Sequence, residues 1–256
     1  MKIGVIGGGA MGKALIMGLL RNDNRIGDQI ILSTPHPGKV EFLASDGIVL
    51  TNSNTECAEQ ADSLFICVKP WKIAEVLKEI GPLVSAGNKE VCMIVAGVPG
   101  RELIELLPSG FQGDCSIGMP NTAMAMGKSM TFMVPLKGKC LQTIDIFEKV
   151  GKLKIIEERL LPAATALASC GIAYALRYVR AATEGGVELG FKADEAQDIV
   201  AQTLTGACSL LEIPGAHAEA EIDKVTTPGG LTIRGLNAME KAGFTNAVIQ
   251  GLKAGK

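Results

Sequence analysis

Three glycines in a strand-to-helix turn constrain this chain more than any other feature. Gly7, Gly9 and Gly12 follow directly on the apolar run Lys2–Ile6 and open a helical pattern over Ala10–Leu20. In a chain with 31 glycines the spacing alone is weak. Its context, a strand before and a helix after, makes it specific. Gly7 permits the tight turn, Gly9 lets the backbone approach a pyrophosphate, and Gly12 lets the helix pack on the strand. Gly8, Ala10 and Met11 complete the turn, and the first amides of the helix face the anion. A dinucleotide is therefore expected over Gly7–Gly12.

The second strand run, Ile30–Ser33, ends where NAD-binding proteins carry an acidic residue for the ribose 2′-hydroxyl. Here the chain reads Ser33-Thr34-Pro35-His36-Pro37-Gly38-Lys39, without a carboxylate. Two hydroxyls and a cation (Ser33, Thr34, Lys39) accept a 2′-phosphate, so NADPH is expected over NADH.

Further strand runs fall at Leu64–Val68, Val91–Val95 and Met130–Val134. Helical spacing fills Pro37–Ser45, Trp71–Val84 and Arg101–Leu107. Alternation of this kind predicts an α/β fold, with a Rossmann-type, doubly wound sheet over residues 1–158. Beyond that the strand runs stop. Pro162–Gly190 and Glu195–Glu212 read as helices, the second capped by Asp194, and two shorter ones flank Thr226–Gly230. Residues 159–256 are thus expected to form an all-α domain. The small residues along 163–190 (Ala163, Ala166, Gly171, Ala173) predict close packing against a partner subunit.

Leu160–Leu176 is the most apolar stretch. Pro162, Thr165, Ser169 and Gly171 interrupt it, and Arg159 and Arg177 bound it. It reads as a helix buried in a protein core rather than a membrane span. A net charge of −2 provides no field for nucleic acid or an anionic membrane. The chain starts as a strand, with no leader pattern. Its seven scattered cysteines lack metal or C-x-x-C spacing and suit a reduced, cytoplasmic protein. No metal site is expected. His36 and His217 are the only histidines, and no G-x-S-x-G elbow occurs. The chemistry is therefore expected to come from the cofactor. The segment Thr226-Thr227-Pro228-Gly229-Gly230-Leu231-Thr232 supplies hydroxyls, glycines and a helix start over Thr232–Lys241. These are the parts of a carboxylate site, or of an ordinary cap.

Several motifs occur in order along nearly the whole chain. They are the Gly7–Gly12 turn, Val68-Lys69-Pro70, Ala96-Gly97-Val98, Met119-Pro120-Asn121-Thr122, Thr165-Ala166-Leu167, Gln202-Thr203 and Val225–Thr232. Together they resemble the pyrroline-5-carboxylate reductases. The resemblance implies NADPH-dependent reduction of a cyclic imino acid, 1-pyrroline-5-carboxylate, to L-proline in proline biosynthesis. It places Val68, Lys69 and Pro70 beside the cofactor ribose. Met119, Pro120 and Asn121 meet the nicotinamide carboxamide, with Ala96 and Gly97 also at the cofactor. The substrate carboxylate falls to Thr227, Gly229, Gly230 and Thr232, and the hydroxyl of Thr232 to the imine nitrogen. It also implies homodimers, assembled further into decamers, with the site completed by the partner. The chain departs from the family pattern at Ile117, Ala123, Ala168–Ile172, Thr227 and Leu231. A related imine reductase acting on a different cyclic imino acid, and a regulator binding NADP(H) without turnover, stay open.

Overall fold

Ile3–Ile6 forms strand β1 with all four residues buried, as a strand covered on both faces requires. In the computed structural model, which describes residues 1–85 and 88–255, seven further strands join it. They are β2 (Ile30–Ser33), β3 (Val49–Thr51), β4 (Ser63–Ile66), β5 (Glu90–Met93), β6 (Cys115–Met119), β7 (Ser129–Lys137) and β8 (Gly151–Ile155). The sheet order is β3-β2-β1-β4-β5-β6-β7-β8. All neighbours are parallel except β6 and β7. Ile3 lies opposite Ile30 on one side and Ser63 on the other. The chain winds outward from β1 to β3 and returns beyond β1 at β4. That reversal opens a crevice at the strand ends where such sheets bind ligands.

Helices cover both faces. On one lie α1 (Ala10–Asn22) and, later in the chain, Leu141–Lys149. Their Leu15, Leu19, Ile146 and Phe147 join Val5, Leu32 and Phe65 in one core. The Phe65 and Phe147 rings meet edge to face at 5.5 Å. On the other face lie α2 (Asn54–Gln60), α3 (Ile73–Ser85) and α4 (Gly100–Glu105), packed through Cys57, Val76, Ile80 and Leu103. Leu141–Lys149 is then α5. Its N-terminus is capped from the sheet: buried Glu90 accepts from Gln142 N at 3.0 Å and Thr143 N at 2.8 Å. A carboxylate there offsets the positive end of the helix.

Several elements differ from the sequence expectation. Residues 37–45 are not an α-helix but part of two tight 3₁₀ turns, Pro37–Lys39 and Glu41–Asp46. Val40, at φ −131° and ψ 12°, leaves the helical region and separates the two turns. The strands β3, β6 and β8 and the helices α2 and α5 are additional. Short α2 announces itself only by its cap, Ser53 Oγ accepting from Glu56 N at 3.1 Å.

The chain divides into the compact units Met1–Ser169 and Cys170–Lys256. The division comes later than the end of the strand pattern at residue 158. After α6 (Leu161–Ala164), the wide π turn Thr165–Ser169 is tied to the sheet unit by Ser169 Oγ donating to Pro120 O at 3.4 Å. Lys256, the last residue of the expected helical domain, lies outside the described residues.

The second unit holds α7 (Cys170–Glu188), α8 (Ala193–Leu210), α9 (Ala218–Lys224), α10 (Leu231–Lys241) and α11 (Phe244–Ala254). Asp194 is not the cap of α8. The helix starts two residues earlier, at Ala193 with Lys192 as its cap, and the Glu195 carboxylate accepts from Lys192 N at 3.3 Å. Helices α7 and α8 approach closely at Gly186, where a Cβ would sit 2.9 Å from that of Ala196. Tyr174 donates its hydroxyl to Gly251 O at 3.3 Å, joining α7 to α11. Helix α7 contains no buried residue within this chain. Leu176 is 61% and Leu189 84% exposed. By length and composition alone, Glu158–Glu188 passes as a membrane-spanning helix. Its interrupting and bounding polar residues favour a protein partner instead.

Candidate functional site

At the C-terminal ends of β1, β2 and β4 lies a cavity of about 430 Å³. Gly7, Gly8, Gly9, Ala10 and Met11 form its floor, Thr34, Pro35, His36 and Lys39 one wall, and Cys67, Val68, Lys69 and Ile94 the other. Gly12 is not in the lining, because its duty is packing: a Cβ there would sit 2.0 Å from Gly7 O. Gly9 is the opposite case. A Cβ there would meet no protein atom within 4 Å, so the backbone is bare toward the cleft. Helix α1 begins at Gly9 without a side-chain cap and has no acid in its first turn. Its leading amides therefore have no intrahelical acceptor. This cradle fits a dinucleotide pyrophosphate.

A second cavity of about 240 Å³ lies further along the strand ends. Its lining is Met11, Ile94, Val95, Ala96, Met119, Pro120, Asn121, Thr122, Thr165 and Ser169. Met11 and Ile94 line both cavities, so the two form one elongated groove. Asn121 is fixed from several sides. Its backbone N–H donates to Ser129 Oγ at 3.2 Å, its Oδ1 accepts from Ala123 N at 3.1 Å, and its Nδ2 donates to Ala168 O at 3.4 Å. The tight turn Thr122–Met126 that follows packs on α1 at Gly18, where a Cβ would lie 2.2 Å from Met124 O. That close approach holds the second cavity beside the first.

The expected cofactor residues thus mostly converge, with exceptions. Ser33 is buried and turned away, its hydroxyl donating to Asn54 Oδ1 at 2.7 Å. Thr34 and Lys39, by contrast, both line the cavity. Pro70 starts a tight turn outside the lining, and Gly97, at φ +77°, is likewise outside it. Cys67, Ile94, Val95, Thr122, Thr165 and Ser169 were not singled out as site residues from sequence. Thr165 stood within a recognised motif, but nothing in its spacing announced a π turn. Cys67 supplies no nucleophile. Although the residue is half-buried, desolvation pushes its thiol up to about 12. Burial likewise pushes Cys57 and Cys140 up to about 12. The thiolate is the reactive form, and at pH 8 it is then about one part in ten thousand. Iodoacetamide at that pH is expected to leave these three residues unmodified in the native protein, read by mass spectrometry. Rapid labelling of Cys67 would contradict the burial.

In the helical unit, Thr227-Pro228-Gly229-Gly230 closes a tight turn through Gly230 N–H donating to Thr227 O at 2.9 Å. Pro at the second place and Gly229 at φ +69° in the third suit a type II turn. Gly230 thereby loses the amide that was expected to meet a carboxylate. The amides of Leu231 and Thr232, in the first turn of α10, have no intrahelical acceptor. Gly230 rather than Thr232 is the N-cap, and no side chain caps this helix. Thr232 is exposed, and its hydroxyl has no partner among the described residues. The capping role that the sequence left open for Thr232 is therefore absent.

A doubly wound sheet with a bare glycine cradle at its switch point defines the dinucleotide-binding oxidoreductases. The family model described as "NADP oxidoreductase coenzyme F420-dependent" matches residues 2–105, and "Pyrroline-5-carboxylate reductase dimerisation" matches residues 158–256. Pyrroline-5-carboxylate reductase 1 of Dictyostelium discoideum is 36% identical over 98% of this chain. The match spans only 48% of that protein, about half its length. The Synechocystis reductase is 31% identical, covering 99% of this chain and 95% of that one, and the Escherichia coli reductase 32%, covering 98% and 94%. The crystal structure of Plasmodium falciparum pyrroline carboxylate reductase with NADP bound superposes with a TM-score of 0.87. It is 26% identical and covers 100% of this chain and 95% of that one. The chain belongs to the pyrroline-5-carboxylate reductase family.

Proposed function

We propose that this chain reduces 1-pyrroline-5-carboxylate to L-proline with NADPH. The observation that carries the proposal is the elongated groove over Gly7–Met11 and Met119–Thr122, in a chain that matches reductases of this family over nearly its full length. NADPH, when bound, supplies a hydride to the carbon of the C=N bond. The turn Gly7–Gly12 holds the pyrophosphate, and Thr34 and Lys39 hold the 2′-phosphate. Asn121, oriented by Ser129 and Ala168, presents amide groups to the carboxamide. The substrate carboxylate is held by the amides of Gly229, Leu231 and Thr232 and by the Thr227 hydroxyl. The Thr232 hydroxyl hydrogen-bonds the imine nitrogen as its bonding electrons become a lone pair. A protonated imine is already electrophilic, so orientation carries much of the catalysis. This accounts for the absence of a histidine or carboxylate from the proposed chemistry.

The test is steady-state oxidation of NADPH with 1-pyrroline-5-carboxylate and with six-membered cyclic imino acids. Proline formation with the five-membered ring supports the proposal. Turnover confined to another ring would redirect it to a related imine reductase, and tight NADPH binding without any turnover would favour a regulator.

We further propose residues 1–158 as the cofactor domain and 159–256 as the dimerisation and substrate domain, in a cytoplasmic homo-oligomer built from dimers up to a decamer. The exposed apolar residues of α7 support the dimer. Leu176→Glu is expected to shift sedimentation at micromolar concentration toward monomer or to give insoluble protein, because the charge is buried unpaired on association. An unchanged oligomer would move the interface elsewhere.

A further inference from the structure

We propose that His36 makes the choice between a 2′-phosphorylated and an unphosphorylated adenine dinucleotide depend on pH. The inference rests on the NADP(H) reading above and adds a specificity residue to it.

His36 is exposed and lines the 430 Å³ cavity beside Thr34, Pro35 and Lys39. Its backbone is held in place. Its N–H donates to Thr34 Oγ1 at 3.4 Å, and its carbonyl accepts from Lys39 N at 3.1 Å. Pro35 and Pro37 on either side restrict the chain further. The backbone that carries the imidazole is therefore fixed just past the end of β2, where the ribose 2′ position of a dinucleotide lies in such folds.

The charged groups facing it come from two places. Lys39 lies in its own turn, and Lys69 in the loop after β4. The uncapped amide end of α1 adds partial positive charge. Among the described residues no carboxylate lines the cavity. Glu56 is engaged by Thr51 and Glu79 by Asn54, both outside the lining. Lysines remain charged throughout the neutral range, whereas histidine is the side chain that ordinarily changes charge between pH 5 and 8. A phosphate monoester loses its second proton near pH 6.

The two act in opposite senses just above pH 6, where the phosphate gains charge as the ring loses it; from about pH 7 the phosphate is already mostly dianionic and only the ring still changes. A bound 2′-phosphate favours the imidazolium, so its affinity is greatest where the ring is charged and falls as the ring loses its proton. An unphosphorylated ribose presents no such charge. Above about pH 7, rising pH should therefore erode the preference for NADP(H), leaving Lys39 and Lys69 as the charges that keep the remainder.

The test is calorimetric titration of the full-length protein with NADP⁺ and with NAD⁺ from about pH 7 to about pH 8.5, where the phosphate charge is nearly constant. The ratio of the two affinities is expected to fall about two- to fivefold over that range, the span of an exposed charge contact. His36→Asn should hold the ratio low and flat, and His36→Arg high and flat. A wild-type ratio independent of pH, or an equal slope in His36→Asn, would overturn the inference while leaving the cofactor reading intact. If neither dinucleotide binds, both are overturned.

Discussion

Gly12→Ala is expected to cost the protein its cofactor and much of its stability together. The added methyl would lie 2.0 Å from Gly7 O, a backbone atom that can move only by pulling the turn with it. Overpacking of this kind costs about 1–3 kcal/mol, occasionally more. For a unit of this size each kcal/mol shifts Tm by about 2–4 °C. A fall of about 5–10 °C is expected, with NADP⁺ affinity lower by at least about tenfold, since the amides no longer converge. Thermal melts and calorimetry on one preparation decide it. A variant that binds and melts like the wild type would show that α1 need not approach β1 so closely.

Thr232→Ala should have the opposite profile. The hydroxyl caps nothing, so Tm should stay within about a degree. Its proposed duty is to meet the imine nitrogen as charge redistributes. Loss of an oxyanion-hole donor elsewhere lowers rate by about 10²–10³-fold. An already cationic imine needs less help, so kcat should fall about 10–100-fold on that scale. Thr232→Ser should retain most activity. Steady-state kinetics at saturating NADPH separates the cases. Undiminished kcat in Thr232→Ala would leave orientation alone to drive the reaction.

What the sequence made legible follows from how locally each feature is encoded. The glycine turn was readable because strand, turn and helix each leave a signal within a dozen positions. β2 matched its expected range, Ile30–Ser33, because a doubly buried strand is a continuous apolar run. β8 escaped because it is an edge strand with all five residues exposed or half-buried, and Gly151-Lys152-Leu153-Lys154-Ile155 looks like ordinary surface. β6 escaped because Gly118 and the small residues Cys115 and Ser116 carry little strand propensity; its place is set by packing on Phe147. Within the site, the inward turn of Ser33 depends on Asn54, and the loss of the Gly230 amide on its bond to Thr227. Neither hydrogen bond is written in residue type. The Thr165–Ser169 π turn is similarly a product of tertiary ties to Pro120 and Asn121.

The missing burial along α7 also bears on how the protein comes apart. A helix of 19 residues with no buried side chain in its own chain gains little from folding alone. Its stability comes from association, and association obeys mass action. Dilution should then act as a denaturant: the helical unit of a solitary chain would fray while the sheet unit, with its two apolar cores, persists. The melting temperature would rise with protein concentration. In a cell making little of this chain, the pool of assembled enzyme would shrink faster than the amount of polypeptide.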